Sequence, residues 1–322
     1  MKRRIYGVEL EVGTMPYEFV CSDGVTINKS NVCLIFKHAP MSRVMREYES
    51  GGKSGTWNAD ALSDIGSHLW NAYLLNEARF YCDTNWHMEY ATPETRRPRD
   101  CVRWEKAGER VFEMIAESIN REEPEAERWR HLGGVTFIKN NTDPDASDTW
   151  GCHENFLVER RVDIADIGEV LVPFLSSTPI WDGSGKVVVC SDGEKPSLGY
   201  ILSQRMHFMR KCVGSGATSD RAMVNTRDEP LADKEKWRRL EILSNDSHMS
   251  EVVSYLDYSL IGLILEMVEV GFLKPRDRDH GLPIADIDMA WLRFKDDVNS
   301  DLSLKKAFAI GGIILGLIFL VQ

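Results

Sequence analysis

The chain is short of positive charge: 39 lysines and arginines stand against 50 aspartates and glutamates, a net charge of -11. Proteins that hold nucleic acid neutralise phosphates with clustered cations, so this balance argues against that class and suits a basic or amide-bearing protein partner better. Paired cysteines are also lacking. The seven cysteines (Cys21, Cys33, Cys82, Cys101, Cys152, Cys190, Cys212) are odd in number and form no CxxC pair, and no signal peptide opens the chain, which points to a reduced cytoplasm. A Walker loop is missing as well. Gly52-Lys53-Ser54 has Glu47 where that pattern needs glycine, and Gly185-Lys186 is followed by Val187. Uncharged runs are few, and Ala307 to Gln322 is the notable one, preceded by Lys305-Lys306. As a helix it would span roughly 24 Å against a hydrocarbon core of about 30 Å. It reads as a buried or truncated segment, with a membrane contact or tail anchor left open by the spacing of Gly312 and Gly316.

What the chain does have is a set of short strands with ionisable side chains on one face and apolar ones on the other. In Arg4 to Gly13, the two-residue period of a strand puts Glu9 and Glu11 opposite Tyr6, Val8, Leu10 and Val12. Arg79, Tyr81 and Asp83 oppose Ala78, Phe80 and Cys82 in the same way. Further rows are expected from His153 with Asn155, from Ser203, Arg205 and His207, and from Arg239 with Glu241. Cys152 is no partner for His153, because strand neighbours point to opposite faces. An antiparallel sheet with a solvated face carries charges too, but such a face is ordinarily filled with lysine and serine. Carboxylates beside arginines suit a metal-nucleotide complex: hard divalent ions take oxygen ligands, and guanidinium forks clamp phosphate.

At 322 residues the chain is long enough for one large domain with an appendage. A short helix is expected near Met41 to Glu49, followed by a surface loop over Glu49 to Thr56. A long helix is expected from Asp100 as cap through Trp104, Ala107, Val111 and Ile115 towards Asn120, a second over Ile164 to Leu175, and a third from Ser250 through Leu256, Leu263 and Met267 to Gly271. This irregular alternation predicts an α+β fold.

Six motifs occur in an order similar to that of the Pup ligase and depupylase family: Gly7-Val8-Glu9-Leu10-Glu11, Ala78 to Asp83, His87 to Thr92, Gly151 to Asn155, Ser203-Gln204-Arg205, and Asn225 to Pro230. The resemblance covers roughly residues 1 to 272. It implies a glutamine synthetase-like catalytic domain over 1–300, with a largely antiparallel curved sheet, one polar catalytic face and helices on the other. An apolar tail over 301–322 would follow, and the family's small C-terminal domain would lie beyond it.

The implied activity is an ATP- and magnesium-dependent joining of the C-terminal glutamate of the ubiquitin-like tag Pup to lysines of substrate proteins, which marks them for a proteasome. Residue by residue, Glu9, Tyr81 and Glu89 match magnesium-holding positions. Arg79 and Thr92 match ATP contacts, and Asp83 matches the catalytic residue, for which a general-base role toward the lysine is expected. Glu11 and Glu241 are further candidate metal ligands, Glu241 standing where the family has histidine. Arg205 and Arg227 are candidate phosphate clamps or structural ion pairs, and His153 and Asn155 face the nucleotide or satisfy backbone groups. The family has glycine at Glu77 and proline at Met88. The spacing from Asp83 to His87 and Glu89 favours a ligase over a depupylase or deamidase. The segments Arg99 to Trp104 and Gly183 to Lys186, and the long stretch before Asn76, look more like depupylase sequence. A Pup-binding protein without turnover, or a small-molecule ligase of the glutamate-cysteine type, are the remaining readings.

Overall fold

The computed structural model describes residues 4–16, 71–74, 76–83, 87–121, 135–143, 148–190, 197–218 and 221–273. The helix expected near Met41, the loop over Glu49 to Thr56 and the tail over 301–322 lie outside them. The chain divides into two compact units, one of Gly7–Glu94 with Asp100–Asn140, the other of Met1–Tyr6, Thr95–Arg99 and Asn141–Gln322.

The first unit is built on β1 (Tyr6–Pro16), β2 (Asn71–Tyr73), β3 (Arg79–Cys82) and β4 (Met88–Ala91), covered by α1 (Pro98–Arg121), with β5 (Val135–Ile138) pairing the far end of β1. The strand order is β2-β3-β4-β1, antiparallel throughout. Alternation along β1 and β3 sends Val8, Leu10, Val12, Phe80 and Cys82 inward. Phe112 of α1 sits between Phe80 and Phe137, with ring centroids 5.2 and 5.0 Å away. Gly108 allows α1 to meet the sheet, because a Cβ there would lie 2.4 Å from the Tyr90 ring.

The expected start of α1 is corrected, and its face in part. The helix begins at Pro98, so Asp100 lies in its first turn rather than at the cap. Cys101, Glu105, Phe112 and Ile115 are buried, whereas Trp104, Ala107 and Val111 are only half-buried. Glu105 can sit at full burial because Lys139 of the strand segment pairs with it at 2.8 Å.

The second unit contains β6 (Cys152–Glu159), α2 (Ile164–Ser177), α3 (Pro179–Asp182), β7 (Lys186–Cys190), β8 (Ser197–Ile201), β9 (Lys211–Gly214), β10 (Ala222–Asn225), β11 (Trp237–Ile242) and α4 (Glu251–Glu269). β6, β11 and β10 pair antiparallel, β9 joins β10 in parallel, and β7 with β8 forms a separate hairpin. Asp163 caps α2 by accepting the Ala165 amide at 2.9 Å. Gly168 of α2 lets that helix approach Val213 of β9, and Gly262 of α4 makes room for the Tyr6 hydroxyl. Tyr6 in turn meets Phe156 edge-on at 5.6 Å. A buried ion pair, Arg4 with Glu269 at 2.8 Å, fastens the start of the chain to the end of α4.

One expectation fails here. Ser203 to His207 is no strand. Ser203 Oγ accepts the Met206 amide and donates to Asp246, each at 2.9 Å, which curls the segment into a single 3₁₀ turn over Met206–Phe208. On α4 the buried apolar side chains are Tyr258, Ile261, Leu265 and Val268, while Leu256 and Leu263 are exposed. The helix is apolar around most of its circumference, so periodicity alone did not single out the packed face. Its end is as expected: Gly271 takes φ +72 beyond the last turn. Among the described residues no helix is long and apolar enough to cross a membrane.

Candidate active site

Register brings the polar rows of the first unit together. Across β3, β4 and β1, Tyr81 pairs with Glu89 and Glu89 with Glu11, forming one straight ladder. Two residues along, Arg79 pairs with Ala91 and Ala91 with Glu9, so Arg79 and Glu9 share the neighbouring rung. Asp83 follows β3 on the same face, and its amide donates to the His87 carbonyl at 2.9 Å. Carboxylate oxygens of Glu11, Asp83 and Glu89 all lie within 4.8 Å of one another.

This ladder is dry as well as acidic. Glu89 is 2% exposed and Glu11 6%, while Glu9 and Asp83 are half-buried. Burial, then the charges of Glu9, Glu11 and Asp83, holds the Glu89 carboxyl well above the usual carboxylate range. The Tyr81 hydroxyl donates to Glu89 Oε1. Burial first, and the charges of Glu89 and Glu9 next, push the phenol up, so it stays protonated and keeps its oxygen lone pairs for a cation. The Arg79 guanidinium lies 4.2 Å from the Tyr81 ring centre, which fixes its direction. Thr92 Oγ1 accepts the Val8 amide at 3.0 Å and pins β1 to the end of β4. Three converging carboxylates with a phenolic oxygen beside them are a hard-oxygen donor set, and they fit a divalent cation of the magnesium kind.

The second unit carries its own ladder, Asn155, Glu241 and Asn225 across β6, β11 and β10. Glu241 is 5% exposed. It accepts Asn225 Nδ2 at 2.7 Å and Arg239 Nη2 at 3.2 Å, and His153 Nδ1 lies 3.7 Å from it. Asn155 Nδ2 donates to the His153 carbonyl at 3.3 Å, and its buried Oδ1 makes no hydrogen bond. Asn225 was not foreseen as a partner of Glu241. The signal was present, since it opens one of the six motifs and falls on an alternating strand.

Arg205 does not line this face. It is 2% exposed, and its guanidinium donates to the Leu243 carbonyl at 2.7 Å, to Thr149 Oγ1 at 3.3 Å and to His153 Nε2 at 2.7 Å. A guanidinium only donates, so Nε2 accepts and the His153 proton sits on Nδ1, toward Glu241. Gly151 makes this arrangement possible, because a Cβ there would lie 2.0 Å from His153 Nε2. Arg227 is at the opposite extreme, exposed and paired with Glu229 at 3.2 Å. The two expected phosphate clamps therefore have different surroundings, one in the interior and one at the surface.

The sequence matches the family described as Pup-ligase protein over residues 4–308. It is 42% identical over 213 residues to a depupylase of Acidothermus cellulolyticus, a match covering 66% of this chain and 40% of that one. Against a Pup–protein ligase of Acidimicrobium ferrooxidans it is 36% identical over 269 residues, 84% of this chain and 52% of the relative. The chain thus spans about half the length of the curated relatives it matches. Among solved structures it is similar to the complex of the prokaryotic ubiquitin-like protein Pup with its ligase PafA, with a TM-score of 0.62 at 28% identity, covering 93% of this chain and 52% of that one. It is also similar to PafA in complex with ADP, with a TM-score of 0.55 at 28% identity over 81% of this chain and 51% of that one.

Proposed function

The chain belongs to the Pup-ligase family, and on that premise we propose that it is a carbon-nitrogen ligase. It uses ATP to activate the C-terminal glutamate of a Pup-like tag and joins that glutamate to a lysine of an acceptor protein, in a reduced cytoplasm and ahead of proteasomal degradation. The observation that carries this reading is the convergence of Glu11, Asp83 and Glu89 within 4.8 Å, beside the oriented guanidinium of Arg79. The ADP held by one related structure and the Pup held by another support the choice of nucleotide and tag.

A carboxylate resists attack by an amine until phosphoryl transfer gives it a leaving group. Glu9, Glu11 and Glu89, with the Tyr81 oxygen, would hold magnesium, which neutralises charge on the transferred phosphoryl group. Arg79 supplies a fixed positive charge for phosphate oxygens, and Thr92 and Arg227 offer further nucleotide contacts. In the second unit Glu241 presents a further carboxylate for a cation, and the Asn155 amide a polar contact. Asp83 is more open than Glu11 or Glu89, so it is the carboxylate an incoming lysine reaches and the group to take the ammonium proton before attack. In place of a phosphate clamp, we assign Arg205 the task of holding the His153 ring.

Intact-mass spectrometry of the chain with Mg-ATP, a lysine-bearing acceptor and a tag ending in glutamate tests this directly. A tag-plus-acceptor mass with release of ADP, lost in Asp83→Asn, is the expected result. The 42% identity to a depupylase favours a second reading: removal of tag from a conjugate, or a shift of about one dalton on a tag ending in glutamine as its amide is hydrolysed. ATP bound with no mass change in any arm would leave a tag-binding protein and overturn both.

A further inference from the structure

The second unit holds another convergence of ligand groups, buried in its interior and built from other residues than the ladders above. Asp182 closes α3, His248 lies in the segment joining β11 to α4, and Asp257 is in α4. One potential ligand atom from each comes within 4.8 Å of the other two. The three are 6%, 4% and 0% exposed, and Asp182 Oδ2 makes no hydrogen bond at all.

Neighbouring polar groups among the described residues are already engaged with one another. Asp246 accepts the amides of Ser184, Gln204 and Arg205 and the hydroxyl of Ser203, at 2.8 to 3.0 Å. Asn245 Nδ2 donates to Asp257 Oδ2 at 2.8 Å and to Glu154 Oε1 at 3.1 Å. Asp182, Asp257, Asp246 and Glu154 are therefore four carboxyls gathered where water does not reach, and such charges persist only when protonated, paired or bound to metal. His248 Nε2 and Asp257 Oδ2 are 3.7 Å apart. That is too long for a hydrogen bond and near the roughly 3.4 Å that separates two ligands of a tetrahedral ion with bonds of about 2.1 Å.

We propose that Asp182, His248 and Asp257 form a structural site for a transition-series divalent cation, zinc or manganese, distinct from the magnesium ladder. An imidazole nitrogen among carboxylate oxygens selects such an ion over magnesium, which prefers oxygen ligands and keeps much of its water. Bound there, it ties α3 and α4 to the segment that follows β11. The inference stands or falls independently of the ligase reading.

The test uses the full chain, stripped with a chelator, desalted and loaded with zinc or manganese alone, with bound metal counted by plasma mass spectrometry after gel filtration. One tightly held equivalent is expected in the wild type and in Glu89→Gln, and its loss in Asp182→Asn. The thermal midpoint of the wild type should rise by several degrees on loading, with no rise in Asp182→Asn. Cobalt loading of unmutated chain and of Glu89→Gln gives a reading that does not depend on how Asp182→Asn folds. The visible bands of a four-coordinate nitrogen-oxygen site are expected in both, displaced by zinc. No retained metal, equal retention in Asp182→Asn, or absence of those bands would overturn the site and leave shared protons in its place.

Discussion

Glu11 and Glu89 stand directly opposite each other on neighbouring antiparallel strands, where a sheet ordinarily places complementary charges. Like charges at such a pair destabilise the strands that carry them, and burial of both side chains sharpens the conflict. A surface that binds a cation has to carry this cost in the cation's absence.

Glu89→Gln removes one of the opposed charges while keeping its shape. In chelator the variant is expected to unfold later than the wild type, by about 1 kcal/mol, and in Mg-ATP to lose at least about 100-fold in conjugation rate. Thermal unfolding and a conjugation assay read the two effects separately. A variant destabilised with and without magnesium would make Glu89 a structural residue.

The pH dependence of the metal-free chain follows from the same carboxyl. Its folded pKa is raised, chiefly by burial and then by Glu9, Glu11 and Asp83. The folded state therefore holds the proton more tightly than the unfolded state, and the stability this contributes is complete below the ordinary value of 4.5. It is lost as pH climbs from there through the displaced pKa. Asp182 and Asp246, also raised by burial, act with the same sign. Denaturant midpoints in chelator should fall with rising pH across that window, less steeply in Glu89→Gln than in the wild type.

Arg205 is expected to act through folding. Arg205→Ala leaves the Leu243 carbonyl, Thr149 and His153 without their buried donor and should cost about 3 kcal/mol in urea unfolding. Nucleotide affinity of the folded fraction, measured by calorimetry, should be nearly unchanged. A large loss of affinity with intact stability would restore the phosphate-clamp role.

Gly151→Ala places a methyl group where the His153 ring now lies. Shifting that ring breaks its contact with Arg205, and a loss of about 1–3 kcal/mol is expected by denaturant titration. Restored stability in the pair Gly151→Ala with His153→Ala would trace the loss to the ring.

Glu77 holds φ +68 in the turn between β2 and β3, a conformation that strains any residue with a Cβ. Glu77→Gly should stabilise the chain by about 0.5–1 kcal/mol, the relieved strain exceeding the added freedom of the unfolded state. A thermal midpoint at or below that of the wild type would show that the turn tolerates glutamate without strain.

Which side chains share a face could be read along the chain. Strand alternation is set by backbone geometry, so Glu9 with Glu11, Arg79 with Tyr81 and Asp83, and His153 with Asn155 were legible from spacing alone, as was the glycine that ends α4. Whatever depends on a distant partner emerged with the folded chain. Register put Glu89 across from Glu11, because it follows from how whole strands pair and not from either strand's composition. Lys139 turned Glu105 into a core residue of α1, and Gly262 beneath Tyr6 chose the packed face of a helix that is apolar nearly all round. Asp246 drew Ser203 into a turn and carried Arg205 inward with it. A local period records which way a side chain points, whereas the charge, space or donor it meets there is supplied by residues far away along the chain.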